Sequence, residues 1–244
     1  MHLGLCTSAS ANAGLIAGST LDYVEENVQG FLLPRDPDAA AWTRRLADAK
    51  ACGKPIRAWA TTAFARAKQA GITAIVFGSG GSRRIPDGFD RAQARAQFVD
   101  LLKELGPLAA AQNVTLVVEP LNTGECNFIT SVDEGAAIVR DAATPGVRLL
   151  ADIYHMLRDA EGPAAITRAG SLLAHVHIAE REKRTAPGVA GDDFAPYLRA
   201  LAGIGYDGNL SIESGWQDLA AQLPAALAEL RRQLGLARQA AVAG

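Results

Sequence analysis

The chain has 244 residues, 49% of them hydrophobic, with 24 Lys and Arg against 26 Asp and Glu and a formal net charge of −2. That allows one large domain or two small ones with a sizeable core, and lacks the basic excess of a nucleic-acid-binding surface. No apolar run is long enough to span a membrane, and Cys6, Cys52 and Cys126 are scattered without a CxxC spacing, which predicts a reducing compartment and no disulfide framework. The start, Met1-His2-Leu3-Gly4-Leu5-Cys6, enters a strand at once and has no charged region of a secretion signal, so a soluble, cytoplasmic protein is expected.

In chain order, apolar runs rich in Val, Ile and Leu read as strands at His2–Cys6, Tyr23–Glu26, Ile56–Trp59, Ile72–Phe77, Thr115–Glu119, Arg148–Asp152, Ala174–Ile178 and Asn209–Glu213. Between them, segments with helical periodicity fall at Asp38–Ala51, Asp90–Gln112, Asp133–Ala142, Phe194–Ala202 and Gln217–Gln239, with a short piece near Thr62–Gln69. Asp36-Pro37-Asp38 is a capping region, and Ser131 with Glu134 three residues on forms a capping box. Eight strands alternating with helices imply a parallel sheet covered on both faces. No Pro/Ser-rich linker divides residues 1–244, and the expected architecture is α/β, a single (β/α)8 TIM barrel. The third strand–helix connection leaves room for little loop, which predicts a mouth open on that side.

Four of the strands end in a residue able to bind a metal: Glu119 in VVEPLN, Asp152 in LLADIYHM, His177 in HVHIAE and Glu213 in LSIES. In a parallel barrel the C-terminal strand ends converge on one mouth, so aligned ligand-type residues there meet in space, and this is the argument for closure of the sheet. Three carboxylates and one imidazole suit one divalent metal, Mn2+ ahead of Mg2+ or Co2+, better than a thiolate-bound zinc. His175 and His177 lie two apart and face the same way; His177 is nearer the strand end and is chosen as the ligand, with His175 packed one layer deeper. His155 follows Asp152 by three residues and is read as lying on a loop over the mouth, either as part of the site or as an ordinary surface histidine. Gly124 permits a turn that can bring Glu125 back over the site, with Asn122 near it, but on the residues alone Glu125 reads first as a solvated loop acid. Gly78-Ser79-Gly80-Gly81-Ser82-Arg83-Arg84 either cradles a phosphate or sugar oxygen or is a flexible connection; it matches neither the P-loop nor the dinucleotide fingerprint.

These motifs, with Leu21-Asp22-Tyr23-Val24-Glu25-Glu26-Asn27, Val76-Phe77-Gly78-Ser79-Gly80-Gly81 and Gly205-Tyr206-Asp207-Gly208, carry a resemblance over nearly the whole chain. The sequence resembles the sugar phosphate isomerase/epimerase superfamily with the xylose-isomerase-like barrel. That group includes ketose 3-epimerases, hydroxypyruvate isomerase and endonuclease IV. The resemblance implies Glu119, Asp152, His177 and Glu213 as metal ligands and Glu119 and Glu213 as the acid/base pair. It implies His155, Glu125 and Arg184 as substrate-binding residues and a small sugar or sugar acid as substrate. Two departures stand out. The third connection, which in many members helps build the substrate pocket, is short. The stretch around Pro187-Gly188 resembles hydroxypyruvate isomerases, whereas the presence of His177 favours the metal-dependent epimerases.

The leading expectation is a metal-dependent sugar or sugar-phosphate epimerase or isomerase that moves a proton next to a carbonyl through an enediolate. A lyase or dehydratase on the same scaffold is the alternative, since fold and metal do not decide between them. A metal-dependent phosphodiesterase would need more ligands than the four histidines and the near-neutral charge suggest. A non-catalytic sugar-binding barrel has only the short third connection in its favour. The sequence leaves a homo-oligomer open, and neither nucleic acid nor membrane is an expected partner.

Overall fold

The computed structural model describes residues 1–9, 11–25 and 64–242. Its strands are β1 (His2–Cys6), β2 (Tyr23–Glu25), β3 (Ala74–Phe77), β4 (Thr115–Val118), β5 (Val147–Asp152), β6 (Leu173–Ile178) and β7 (Asn209–Ile212). All neighbouring pairs are parallel, in the order β2-β1-β7-β6-β5-β4-β3. The strands curl into a TIM-barrel fold whose two described edges, β2 and β3, flank residues 26–63 in the sequence. The strand read at Ile56–Trp59, the helix at Asp38–Ala51 and residues 60–63 of the short third connection lie outside the described residues, while the helical piece read near Thr62–Gln69 is found at Phe64–Ala70.

The helices are α1 (Ala13–Ala17), α2 (Phe64–Ala70), α3 (Gly80–Arg83), α4 (Arg91–Ala110), α5 (Val132–Ala142), α6 (Ile153–Arg158), α7 (Ala164–Ala169), α8 (Ala195–Gly203) and α9 (Leu219–Val242). Local chemistry sets their starts. Asp90 caps α4 by accepting from the Gln93 amide, and Ser131 caps α5 by accepting from the Glu134 amide. The Glu134 carboxylate reaches back to the Thr130 amide, one residue before the cap, so the capping box forms in a slightly extended version. No described helix is long and apolar enough to cross a membrane.

The alternation of strand residues separates two environments. Leu3, Leu5, Val24, Leu116, Val118, Leu149, Ala151, Val176, Ile178, Leu210 and Ile212 belong to the apolar layer packed under the helices. The other set points into the barrel: Gly4 and Cys6, Tyr23 and Glu25, Val117 and Glu119, Leu150 and Asp152, His175 and His177, Ser211 and Glu213. Gly4 has a reason to be glycine, because a Cβ there would sit 2.2 Å from the Tyr23 ring.

Candidate metal centre

The inward set is apolar at few positions, and its upper layer brings the four strand-end candidates together. Glu119 and Glu213 each lie one residue past their strands, Asp152 ends β5, and His177 is the penultimate residue of β6. One ligand atom from each of the four lies within 4.8 Å of every other. His177 Nδ1 is 3.0 Å from Glu119 Oε1 and 2.9 Å from Glu213 Oε2. Gly78 gives this cluster its room: a Cβ there would stand 1.6 Å from Glu119 Oε2. Three carboxylates so close repel one another unless positive charge lies among them. A buried imidazole with three acids converging at the strand ends fits a hard or borderline divalent cation.

Arg184 enters the same space. Its Nη2 lies 3.2 Å from Asp152 Oδ2 and donates also to Glu213, while its Nε donates to the Glu213 carbonyl at 3.0 Å. Its guanidinium stacks 4.6 Å over the Tyr154 ring. Lys183 and Arg184 both adopt left-handed backbone, φ 54° and 53°, a conformation uncommon for residues other than glycine. Glu180 organises the loop they belong to. Fully buried, its carboxylate accepts from Thr185 Oγ1 and from the amides of Gly188, Ala190 and Gly191. The tight turn thus delivers the arginine back over the mouth.

His155 differs from the sequence reading in its setting. It lies on helix α6, which starts directly after β5 with Asp152 as its cap, and it is buried rather than on a loop. Its Nε2 faces Asp152 Oδ2 at 3.3 Å without the alignment of a hydrogen bond, and its Nδ1 is 2.8 Å from Asn122 Nδ2. Asn122 also donates to Glu125 Oε1 at 2.9 Å, and the turn through Gly124 leaves that oxygen 3.9 Å from His155 Nδ1. Glu125, Asn122 and His155 therefore form one connected group beside Asp152. The glycine-rich stretch becomes the short helix α3. There Arg83 donates to the carbonyls of Phe77 and Glu119, which pins the entry to the site.

Beside and below His177 lies a polar group of which sequence reasoning placed only His175. Glu25 Oε1 is 2.9 Å from His177 Nε2, and Glu25 Oε2 is 3.1 Å from His175 Nε2 and accepts from the Ser211 hydroxyl. Tyr23 OH is 2.6 Å from Ser211 Oγ. His175 is completely buried, as expected of a packed histidine. Cys6, Glu25 and His177 also bring one ligand-type atom each within 4.8 Å of the others.

The protonation chemistry follows from this packing. Burial alone would raise the Glu25 carboxyl, but His177 and His175 outweigh it and hold the group well below the usual carboxylate range. Burial likewise pulls the His177 imidazolium down, and Glu25 and Glu213 overcome it and lift the group well above its ordinary value. Burial raises Asp152. Glu213 is lowered because His177 and Arg184 together outweigh its burial. Burial, aided by Glu25, raises the Cys6 thiol, so it is a poor thiolate donor.

A family model for xylose isomerase-like TIM barrels matches residues 39–234. Among curated proteins, the chain is 33% identical over 134 residues to 2-oxo-tetronate isomerase of Cupriavidus necator, covering 53% of this chain and 51% of that protein. It is 33% identical over 114 residues to L-ribulose 3-epimerase of Mesorhizobium japonicum, covering 46% and 38%. The matches thus span about half the length of these curated relatives or less. Among solved structures, D-psicose 3-epimerase from Clostridium cellulolyticum superposes with a TM-score of 0.81 at 21% identity, covering 96% of this chain and 99% of that one. A structure of L-ribulose 3-epimerase gives 0.80 at 21%, covering 98% and 96%. At such identities the structural likeness carries the fold.

Proposed function

This chain belongs to the xylose isomerase-like TIM barrel family, and we propose that it is a metal-dependent isomerase or epimerase acting on a small sugar or sugar acid. The observation that carries the reading is the convergence of Glu119, Asp152, His177 and Glu213, with one ligand atom of each within 4.8 Å of the others. We read residues 1–244 as one TIM-barrel domain.

In this reading those four residues hold one divalent cation, Mn2+ ahead of Mg2+ or Co2+, as their oxygen-rich donor set favours. A cation bound there supplies the positive charge that stabilises the enediolate formed when a proton next to a carbonyl is lost. Glu119 and Glu213 take and return the proton. They come from β4 and β7, with β5 and β6 between them in the sheet order, so they approach the centre from different sides. His155, held by Asn122, and Glu125 beside it bind substrate hydroxyls. Arg184, anchored on Asp152, Glu213 and the Tyr154 ring, fixes the substrate from the opposite loop.

Epimerisation returns the proton to the same carbon from the other face, whereas aldose–ketose isomerisation delivers it to the neighbouring carbon. The curated relatives include one named as an isomerase and one named as an epimerase. Incubating the Mn2+-loaded protein with a panel of ketoses and keto acids in D2O separates them. With a 2-ketose, deuterium at C3 marks epimerisation and deuterium at C1, or at C2 of the aldose, marks isomerisation; with a keto acid the two are told apart by the product formed, and no incorporation with any substrate overturns the proposed activity.

A further inference from the structure

The inner layer of a TIM barrel is usually filled by branched aliphatic side chains. Here the layer just below the four candidate ligands contains Tyr23, His175 and Ser211, and Glu25 is buried beside them. Buried polar and charged groups are costly and persist where each finds a partner and a task. These four residues come from three strands, β2, β6 and β7, and their contacts all lead to one atom. Ser211 donates its hydroxyl to Glu25 Oε2, so the Tyr23 hydroxyl, 2.6 Å from Ser211 Oγ, is the donor of that pair. His175 Nε2 lies on the same Glu25 oxygen at 3.1 Å. The other Glu25 oxygen is left for His177 Nε2, at 2.9 Å.

An imidazole that binds a metal through one nitrogen presents its other N–H to an acceptor, and that acceptor sets tautomer and ring orientation. We infer that Glu25 is the positioning residue of this centre. It accepts the Nε2–H of His177 and so directs the Nδ1 lone pair of that ring between Glu119, Asp152 and Glu213, while Tyr23, Ser211 and His175 lock the carboxylate in place. The inference rests on the metal-centre reading above and extends it to residues that touch neither cation nor substrate. The ring has little freedom to do otherwise. It is buried, it packs edge-on against His175 at 5.0 Å between centroids, and its Nδ1 already faces Glu119 and Glu213.

The decisive variant is Glu25→Gln, which keeps size and shape but offers an amide where the carboxylate stood. Mn2+ titration by calorimetry, Co2+ visible absorption and imidazole 15N–1H spectra are compared with the native protein. We expect roughly 10–100-fold weaker Mn2+ binding, the usual effect of removing such a partner. A changed Co2+ band and loss of the slowly exchanging Nε2–H signal of His177 should accompany it. If Glu25 merely supports the fold, the melting temperature drops while affinity and Co2+ spectrum of the folded variant stay native, and the inference fails. Should Glu25→Gln not fold, the double variant Tyr23→Phe/Ser211→Ala replaces it. About 10-fold weaker binding, the low end of the same range, supports the role, and native affinity overturns it. If the native protein itself binds no Mn2+ or Co2+, the metal centre falls as well. Native binding with an indifferent Glu25→Gln overturns the positioning role alone.

Discussion

Gly78→Ala tests the packing of the centre with a single methyl group. Gly78 follows β3, and its Cα faces the Glu119 side chain from the neighbouring strand. A Cβ would stand 1.6 Å from Glu119 Oε2 and 2.8 Å from Cδ, whereas ordinary contact begins near 3.4 Å. The carboxylate must therefore retreat by roughly 2 Å, and as the end of a flexible side chain it can do so without unfolding the strand. A coordination site tolerates about 0.2 Å, so Glu119 ceases to be both ligand and base. We expect Mn2+ binding weakened by roughly 10–100-fold, equivalent to about 1.4–2.8 kcal/mol, with a much smaller change in the melting temperature of the metal-free protein. Calorimetric titration, with turnover measured at saturating Mn2+, reads both effects. Gly81→Ala is the control, since a Cβ at Gly81 meets nothing within 4 Å. Native affinity and turnover in Gly78→Ala, or an equal loss in Gly81→Ala, would refute the reasoning.

Three further outcomes follow from the geometry. Glu119→Gln and Glu213→Gln keep an oxygen donor and remove the base, so turnover should fall by roughly 10²–10⁴ with some metal retained; near-native rates in both remove them as the proton-transfer pair. Substituting His155, Glu125 or Arg184 should raise KM or lower kcat while elemental analysis finds full metal occupancy, and loss of metal in any one refutes its assignment to the substrate. Glu25 and Glu213 lift the His177 imidazolium against its burial, so metal must displace a proton from Nδ1. Mn2+ affinity should therefore weaken on acidification by about tenfold per pH unit below that raised value. An affinity independent of pH, or stoichiometric Mn2+ binding by His177→Ala, excludes His177 as a ligand.

The four ligand candidates were legible because they obey a rule that depends only on local pattern. A parallel strand reads as an apolar run, its end marks the mouth, and the residue there faces inward or outward by alternation. The rule also separated His175 from His177, which the structure places in successive inward layers. It worked less well just past the strand ends. His155 reads as a loop residue because Asp152-Ile153-Tyr154-His155-Met156 is too short to show helical periodicity. The signal was Asp152 itself, which serves as ligand candidate and as the cap of α6 at once. The glycine-rich loop offered a phosphate cradle or a flexible connection, and the structure supplies a third reason for Gly78, the close approach of a carboxylate from the next strand.

Glu25 shows where a single sequence stops. Tyr23-Val24-Glu25-Glu26 presents two adjacent acids at a strand end, and nothing local says that Glu25 is turned inward. The choice is made by register: Cys6 pairs with Glu25 and Gly4 with Tyr23, and the missing side chain at Gly4 is what admits the Tyr23 ring to the barrel interior. Once Tyr23 is inside, alternation puts Glu25 inside too, under two histidines and a serine contributed from more than 140 positions away along the chain. Each of those residues alone reads as a packing choice that weakens an apolar core. Together they hold one Glu25 oxygen through Ser211 and His175 and leave the other, Oε1, aimed at the ring whose other nitrogen faces Glu119 and Glu213. The polar interior is therefore better explained by the need to orient one imidazole than by stability, because aliphatic side chains would fill the same layer without the desolvation cost of a buried carboxylate.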